Sequence, residues 1–553
     1  MKPQPAPSPV RFAPKRACGG ALAALVLLAA AAAAQTPNIR VSSPSSTDPE
    51  EITIAINPVN PLNLVAGANL RYVYHSQDGG LTWTEGRLMS SYGVWGDPCV
   101  IFDALGNAYY GHLSNPPAGS GYWLDRIVVQ KSTDGGRTWN AGAGIGLNPP
   151  KNQDKEWLAA DMTGSPYRNR LYCAWTEFDK YGSALPTDST RILLAHSTDG
   201  GITWSTPARV SDRGGDCVDE DNTVEGAVPA VGPGGEVYLS WSSPGGIFFD
   251  RSTDGGVTWG TDVFVTGQPG GWDFSVSGIY RCNGLPVTAC DLSPSAYRGR
   301  IYVLWSDQRA GLDNTDVFLI RSDDGGATWG GLKQVNNDIT TRHQFFPWMA
   351  IDQVNGNLFV VFYDRRNTAG DSTDVMVARS TDGGATFTNE RVSASSFLPS
   401  ASVFFGDYAG IAAHRGAVYP IWMRLDSGTP SNLSVWLARL QDTVATAVRP
   451  SPVNPTVFTL QVYPNPFNPD ARIRFSVPAS AAPGVSNIPV RLELFDGLGR
   501  LVRTIIDDAV GAGEHDVAVR GENEEGLPLS SGTYFVRLSG GGMVVTRRIL
   551  LLR

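Results

Sequence analysis

The octapeptide "STDGGRTW" (132–139) decides how this chain is read, because it is written six times with small changes. The other copies are "SQDGGLTW" (76–83), "STDGGITW" (197–204), "STDGGVTW" (252–259), "SDDGGATW" (322–329) and "STDGGATF" (380–387). A short element repeated at a near-regular period is the mark of a repeat architecture. Each copy follows an apolar run such as "RILLAH" and precedes a short polar strand such as "TWSTPARVS". The pattern reads as strand, turn, strand. The Asp of each copy (Asp78, Asp134, Asp199, Asp254, Asp324, Asp382) can accept backbone N–H bonds across the turn. The Gly pair supplies positive φ without steric cost, and the closing Trp or Phe is a large apolar plug.

Working outward, a second strand lies before most copies: "GNAYYGH" (106–112), "NRLYCAW" (169–175), "GEVYLSW" (235–241), "GRIYVLW" (299–305), "GNLFVVF" (356–362) and "GAVYPIW" (416–422). Large rings three residues apart face opposite sides of a strand, so both faces are expected to be buried between neighbouring sheets. Before these come "DPCVIFD" (97–103), "EWLAAD" (156–161), "VPAV" (228–231) and "PWMAID" (347–352), read as innermost strands. Four strands per unit make a propeller blade. Seven units are counted, with six as the alternative. The first opens at "EEITIAINP" (50–58), and the last, from Phe405 to about Leu440, lacks a fourth strand. "NIRVSS" (38–43) resembles the fourth strands of other units and is expected to close the ring, which removes two exposed sheet edges.

The bulk composition agrees. Sixty-two Gly and 38 Pro among 553 residues suit many turns and short strands. The net charge of −9 and the absence of a Lys/Arg run exclude a nucleic-acid partner. Residues 1–34 read as a signal peptide: Arg11, Lys15 and Arg16, then "ALAALVLLAAAAAA" (21–34) with small residues before Gln35. The apolar stretch is short and weakly apolar for an anchor, and no later segment is apolar enough to span a bilayer as a helix. Export would allow Cys282 and Cys290, which flank a short loop, to pair.

"S-x-D-G-G-x-T-W" resembles the Asp box, or BNR repeat, of the sialidase-like propellers. The resemblance implies an all-β propeller over 35–441 with the boxes on its outer rim, away from the chemistry. The same box occurs in enzymes, receptors and assembly factors, so it fixes a fold and not an activity. The segments "VYPNPFNPDARIRFSVP" (462–478), "VRLELFDGLGRLVRTI" (490–505) and "SGTYFVRLSGGGMVVTRRILLLR" (531–553) resemble the Ig-like C-terminal module of hook-capping proteins and type IX secretion sorting domains. That implies a small β-sandwich over 458–553, joined through a Pro-rich linker at 442–457, and a secretion machinery as partner.

Sialidases clamp a sugar carboxylate with three Arg and use a Tyr–Glu pair and an Asp. The usual Phe/Tyr-Arg-Ile/Leu-Pro motif is absent, and these residues cannot be carried over position by position. The starts of the innermost strands supply substitutes. Asp97 in "WGDP" and Asp407 in "FGDY" are the candidate catalytic carboxylates, a pair that would suit a glycosidase. Glu156, Glu225, Trp95, Trp157, Phe346 and Tyr408 are candidate ligand contacts, since rings stack on sugar faces and carboxylates accept hydroxyls. Arg342, with Arg309 and Arg366, is a candidate for anion contact; the repeated Asp307/Arg309 and Asp364/Arg366 pairs favour a structural role for those two. The acidic stretch "DRGGDCVDEDNTVEG" (212–226) could hold Ca²⁺, although its spacing departs from the EF-hand loop. The scattered His suggest no zinc site, and no cofactor is expected. Three functions follow: a glycan-binding propeller, a glycoside hydrolase of divergent exo-sialidase type, or a protein-binding scaffold or adhesin at the cell surface.

Overall fold

The computed structural model describes residues 37–426, 432–442, 458–463, 465–478, 487–511, 513–541 and 543–552. The signal-peptide reading and most of the linker reading fall outside these residues. Two compact units are present, one ending near Leu440 and the other spanning Gln441–Arg553.

The first unit is all strand, with no helix among the described residues. Among the described residues it holds seven larger antiparallel sheets, each built from four consecutive strands except the last, and one two-stranded ribbon that pairs Asp273–Phe274 with Cys282–Asn283. The innermost strands are Thr53–Ile56, Cys99–Phe102, Asn152–Ala160, Glu225–Val231, Val287–Cys290, Gln344–Ile351 and Gly410–His414. Each packs against the next, and Gly410–His414 packs against Thr53–Ile56, so the series closes on itself as a propeller. In the last sheet the fourth strand is Asn38–Arg40, which pairs antiparallel with Leu433–Ala438 through Asn38↔Ala438 and Arg40↔Trp436.

Why the octapeptide recurs is visible at each copy. In the second sheet, Asp134 Oδ1 accepts from Arg137 N (3.0 Å), Thr138 N (2.9 Å) and Ser132 Oγ (2.8 Å), and Oδ2 accepts from Thr138 Oγ1 (2.6 Å). These donors hold the exposed carboxyl down at about 2, against the opposing effect of burial. Gly135 and Gly136 have φ of 76° and 89°. A Cβ at Gly136 would fall 2.6 Å from Val65 Cγ2 of the preceding sheet, so glycine is required by contact as well as by conformation. The first Gly carbonyl of the box also accepts a side-chain donor from the preceding sheet. Asn63 bonds Gly135 (2.9 Å), Arg170 bonds Gly255 (2.6 Å), Arg251 bonds Gly325 (2.9 Å) and Arg300 bonds Gly383 (2.9 Å). The boxes are staples between neighbouring sheets. The second strands are buried on both faces, with Tyr172, Trp175, Tyr302 and Trp305 fully enclosed.

The second unit has a three-stranded sheet (Thr459–Tyr463, Asp470–Val477, Gly513–Arg520) and a four-stranded sheet (Leu501–Gly511, Asn487–Phe495, Gly532–Gly540, Met543–Leu551). Their inner faces share one core that includes Leu460, Ile473, Phe475, Leu492, Val536 and Leu538.

Candidate functional site in the axial mouth

At one end of the ring the innermost strands are preceded or interrupted by residues in the left-handed region: Glu51 (φ 52°), Asp97 (φ 51°), Lys155 (φ 52°) and Phe346 (φ 49°). Such non-glycine conformations are uncommon and collect at ligand sites. The register shifts between Asp154 and Trp157, and again between Phe345 and Trp348. Bulges of this kind re-aim side chains, and here Glu51, Asp97 and Lys155 converge although they come from three sheets: Lys155 Nζ is 3.8 Å from Glu51 Oε1 and 3.4 Å from Asp97 Oδ2.

Two adjoining cavities share Asp97 and Lys155. The inner one, about 530 Å³, is lined by Glu156, Phe346 and Asp407 and by three packed rings. Trp157 lies 4.4 Å from Trp348 and 5.4 Å from Tyr408, centroid to centroid. The outer one, about 640 Å³, carries Trp95, Trp123, Tyr181 and Phe404 beside Glu50, Glu51, Asp154, Asp219 and Arg281. Trp123 stands edge-on to both Trp95 (6.3 Å) and Tyr181 (5.3 Å).

The charges are strongly coupled. Asp407 is bound by Arg281, with Nε to Oδ1 at 3.0 Å and Nη2 to Oδ2, and by Lys155 Nζ. Burial alone would raise its pKa, but the two cations outweigh burial and hold it well below the usual carboxylate range. Asp407 is therefore a fixed counter-ion, not a proton donor, whereas Asp97 shares only Lys155, whose Nζ lies 3.4 Å from its Oδ2. Burial pushes Glu156 well above the usual range, with Asp97 adding to it. Burial does the same to Glu225, with Asp219 adding, and to Glu51 and Asp154, with Asp97 adding to each. Both carboxyl oxygens of Glu156 and of Glu225 are buried without a hydrogen-bond partner, as is Asp97 Oδ2. Tyr181 Oη donates to Asp219 Oδ2 at 2.5 Å.

The sequence-derived set is thus mostly gathered. Asp97, Glu156, Trp157, Phe346, Asp407 and Tyr408 line the inner cavity and Trp95 the outer one. Glu225 is fully buried beside Gly226, which lines the inner cavity. Arg342 is not part of it: its guanidinium bonds the carbonyls of Arg365 (3.4 Å) and Gly370 in a loop. Arg309 and Arg366 are paired with Asp307 (2.5 Å) and Asp364 (2.8 Å) and line neither cavity.

The expected Cys282–Cys290 disulfide is absent, and both thiols are free and buried. Cys282 sits at the mouth, next to Asn283, whose Nδ2 bonds Asp407 O at 3.0 Å. Cys290 ends the strand Val287–Cys290, which carries it about 10 Å further along. A disulfide needs Cβ atoms about 4 Å apart.

In the acidic stretch 212–226 the carboxylates diverge. Asp212 Oδ2 accepts Asp262 N (3.0 Å), Asp219 Oδ2 accepts Tyr181 Oη, and Asp221 Oδ1 accepts Asp273 N (2.8 Å). No group of three metal-binding side chains occurs among the described residues.

Lys155, Arg281, Asp219, Tyr181 and Trp123 were not legible as site residues. Lys155 had a local signal in being next to Glu156 in "DKEW", and Asp219 in lying within the acidic stretch 212–226.

These features define an Asp-box propeller with an axial site. Residues 169–412 match the BNR repeat-like domain, and residues 461–551 match the secretion system C-terminal sorting domain. The chain carries a sialidase-like BNR-repeat domain followed by a type IX C-terminal sorting domain. No curated protein sequence matches it. Among solved structures it is similar to the Hadza microbial sialidase Hz136 (13% identity, 68% of this chain and 73% of that one, TM-score 0.39). It is also similar to the NanB sialidase of Streptococcus pneumoniae (8%, 68% and 83%, 0.41) and to a protein of Dyadobacter fermentans DSM 18053 described as of unknown function (12%, 74% and 99%, 0.41). The sorting domain indicates export, to a secreted or outer-membrane-surface location, and implies engagement of the secretion machinery. No helix among the described residues is long and apolar enough to cross a membrane.

Proposed function

We propose that this is an exported propeller that recognises a glycan in its axial mouth. The observation that carries the reading is that Trp95, Trp123, Tyr181 and Phe404 line one cavity together with several carboxyl groups. Rings offer apolar faces to a sugar's C–H face, and carboxyl oxygens accept its hydroxyls. The C-terminal domain directs secretion. A glycan array probed with the mature protein, with released sugars read by mass spectrometry, tests it. Saturable binding without release is the expected result, and absence of binding to every glycan refutes it.

A second reading, glycoside hydrolysis, is favoured by the Tyr181–Asp219 contact, in which a carboxylate is placed to take a phenol proton as the phenol attacks. It predicts sugar release that Tyr181→Phe abolishes. Binding that survives this substitution, with no release from either protein, leaves recognition alone.

A further inference from the structure

We propose that the axial mouth takes a sugar bearing a free, positively charged amine rather than an acidic sugar. This names the ligand class of the glycan site above and rests on that reading.

Seven carboxyl groups line the two cavities, against one Lys and one Arg. Both cations are already committed. Lys155 contacts Asp407, Asp97 (3.4 Å) and Glu51 (3.8 Å). Arg281 holds both oxygens of Asp407 and lies 3.7 Å from Asp219. A sugar carboxylate could reach either cation only by displacing a buried carboxylate already bonded to it.

The unclaimed groups are acceptors. Glu156 is 2% exposed and lines the inner cavity, and neither of its oxygens has a partner. Asp97, on both cavities, has Oδ2 without a hydrogen bond, its one cation contact being Lys155 at 3.4 Å. Buried polar atoms in this state cost stability until a ligand satisfies them. A hydroxyl brings one donor, whereas an ammonium brings three and a compensating charge. That charge lets Glu156 release its proton to solvent and bind as a carboxylate.

The rings complete the fit. An ammonium is attracted to aromatic faces, and Trp157, Trp348 and Tyr408 pack together in the inner cavity. The chain already holds one ammonium in this way: Lys155 Nζ lies 6.0 Å from the Tyr408 centroid, among carboxylates.

The test is isothermal titration of the mature full chain with the glucosamine tetramer, its fully N-acetylated counterpart and sialyllactose. The amine tetramer is expected to bind at least tenfold tighter than the acetylated one, with no binding of sialyllactose. Glu156→Gln and Asp97→Asn should each weaken the amine tetramer at least fivefold, and weaken it more than they weaken the acetylated one. The two variants are independent, and the wild-type comparison stands if neither folds. Equal or tighter binding of the acetylated tetramer or of sialyllactose overturns the amine assignment and leaves glycan recognition standing. Unchanged amine affinity in both variants overturns it as well. No binding of any of the three, together with an empty glycan array, overturns both.

Discussion

Replacing Glu156 by Gln should flatten the fall of stability with rising pH. Burial, then Asp97, pushes this carboxyl well above its ordinary range. In the unfolded chain it ionises at about pH 4.3. Between that value and its folded pKa, the native state holds a proton that the unfolded state has lost. The contribution to stability is therefore complete below about pH 4 and declines as pH rises, at a limit of about 1.4 kcal/mol per pH unit for this group. Gln keeps the shape and neutrality of the protonated acid but cannot ionise. From pH 5 to pH 7 the variant should lose up to about 2.7 kcal/mol less stability than the parent. Guanidinium unfolding followed by Trp fluorescence at pH 5, 6 and 7 measures this. Glu51, Asp154 and Glu225 are raised as well, so a residual slope of the same sign remains in the variant. Identical pH trends in the two proteins would refute the reasoning. So would a variant several kcal/mol weaker at every pH, because Glu156 would then be an ionised and partnered group.

Asp407→Asn removes the shared counter-ion of Lys155 and Arg281 and should cost about 2–4 kcal/mol, below the upper end for a broken buried pair because both cations keep other carboxylate neighbours. Since Asp407's pKa is depressed, its contribution persists above about pH 4 and fades below it; denaturation midpoints at pH 3 and 7 should show the parent and variant converging at the acid end. Gly326→Ala places a Cβ 2.0 Å from Phe249 Cε1 at φ +86°, and a thermal melt should register about 2–4 kcal/mol of destabilisation. Glycan binding, measured on the folded fraction, should be unchanged. Iodoacetamide in denaturant without reductant should label both Cys282 and Cys290; recovery of a peptide pair linked through them would contradict the free thiols seen here.

What the sequence disclosed and what it hid divide along the range of the interactions. An Asp box is closed by bonds that reach no more than four residues, such as Thr138 N to Asp134, so its chemistry is written in eight consecutive letters. The alternation of buried rings is local in the same way. The mouth is not. Asp407 meets Lys155 across 252 residues of chain and Arg281 across 126. Nothing near "FGDY" marks it as the anchor of two cations. The parallel between "WGDP" and "FGDY" located both carboxylates correctly on one cavity and still assigned them one role. Their roles differ because Asp407 has two cations and Asp97 has part of one. Arg342, a candidate for anion contact, is the converse case: neighbouring loop carbonyls take its donors.

The division also bears on ligand class. Rim staples tie neighbouring sheets together outside the mouth, with donors such as Arg170 and Arg300 bonding the next box. The mouth nonetheless keeps buried carboxyls without hydrogen-bond partners at Glu156 and Glu225. Apolar or amide side chains at these positions would avoid the cost of burying acids without donors. If the acids stood there only to build the fold, Glu156→Gln would stabilise the protein near neutral pH and change nothing else. If they wait for a donor-rich ligand, the same substitution would stabilise the empty protein and weaken binding together. Opposite signs in those two measurements, made on one variant, distinguish a binding acid from a structural one.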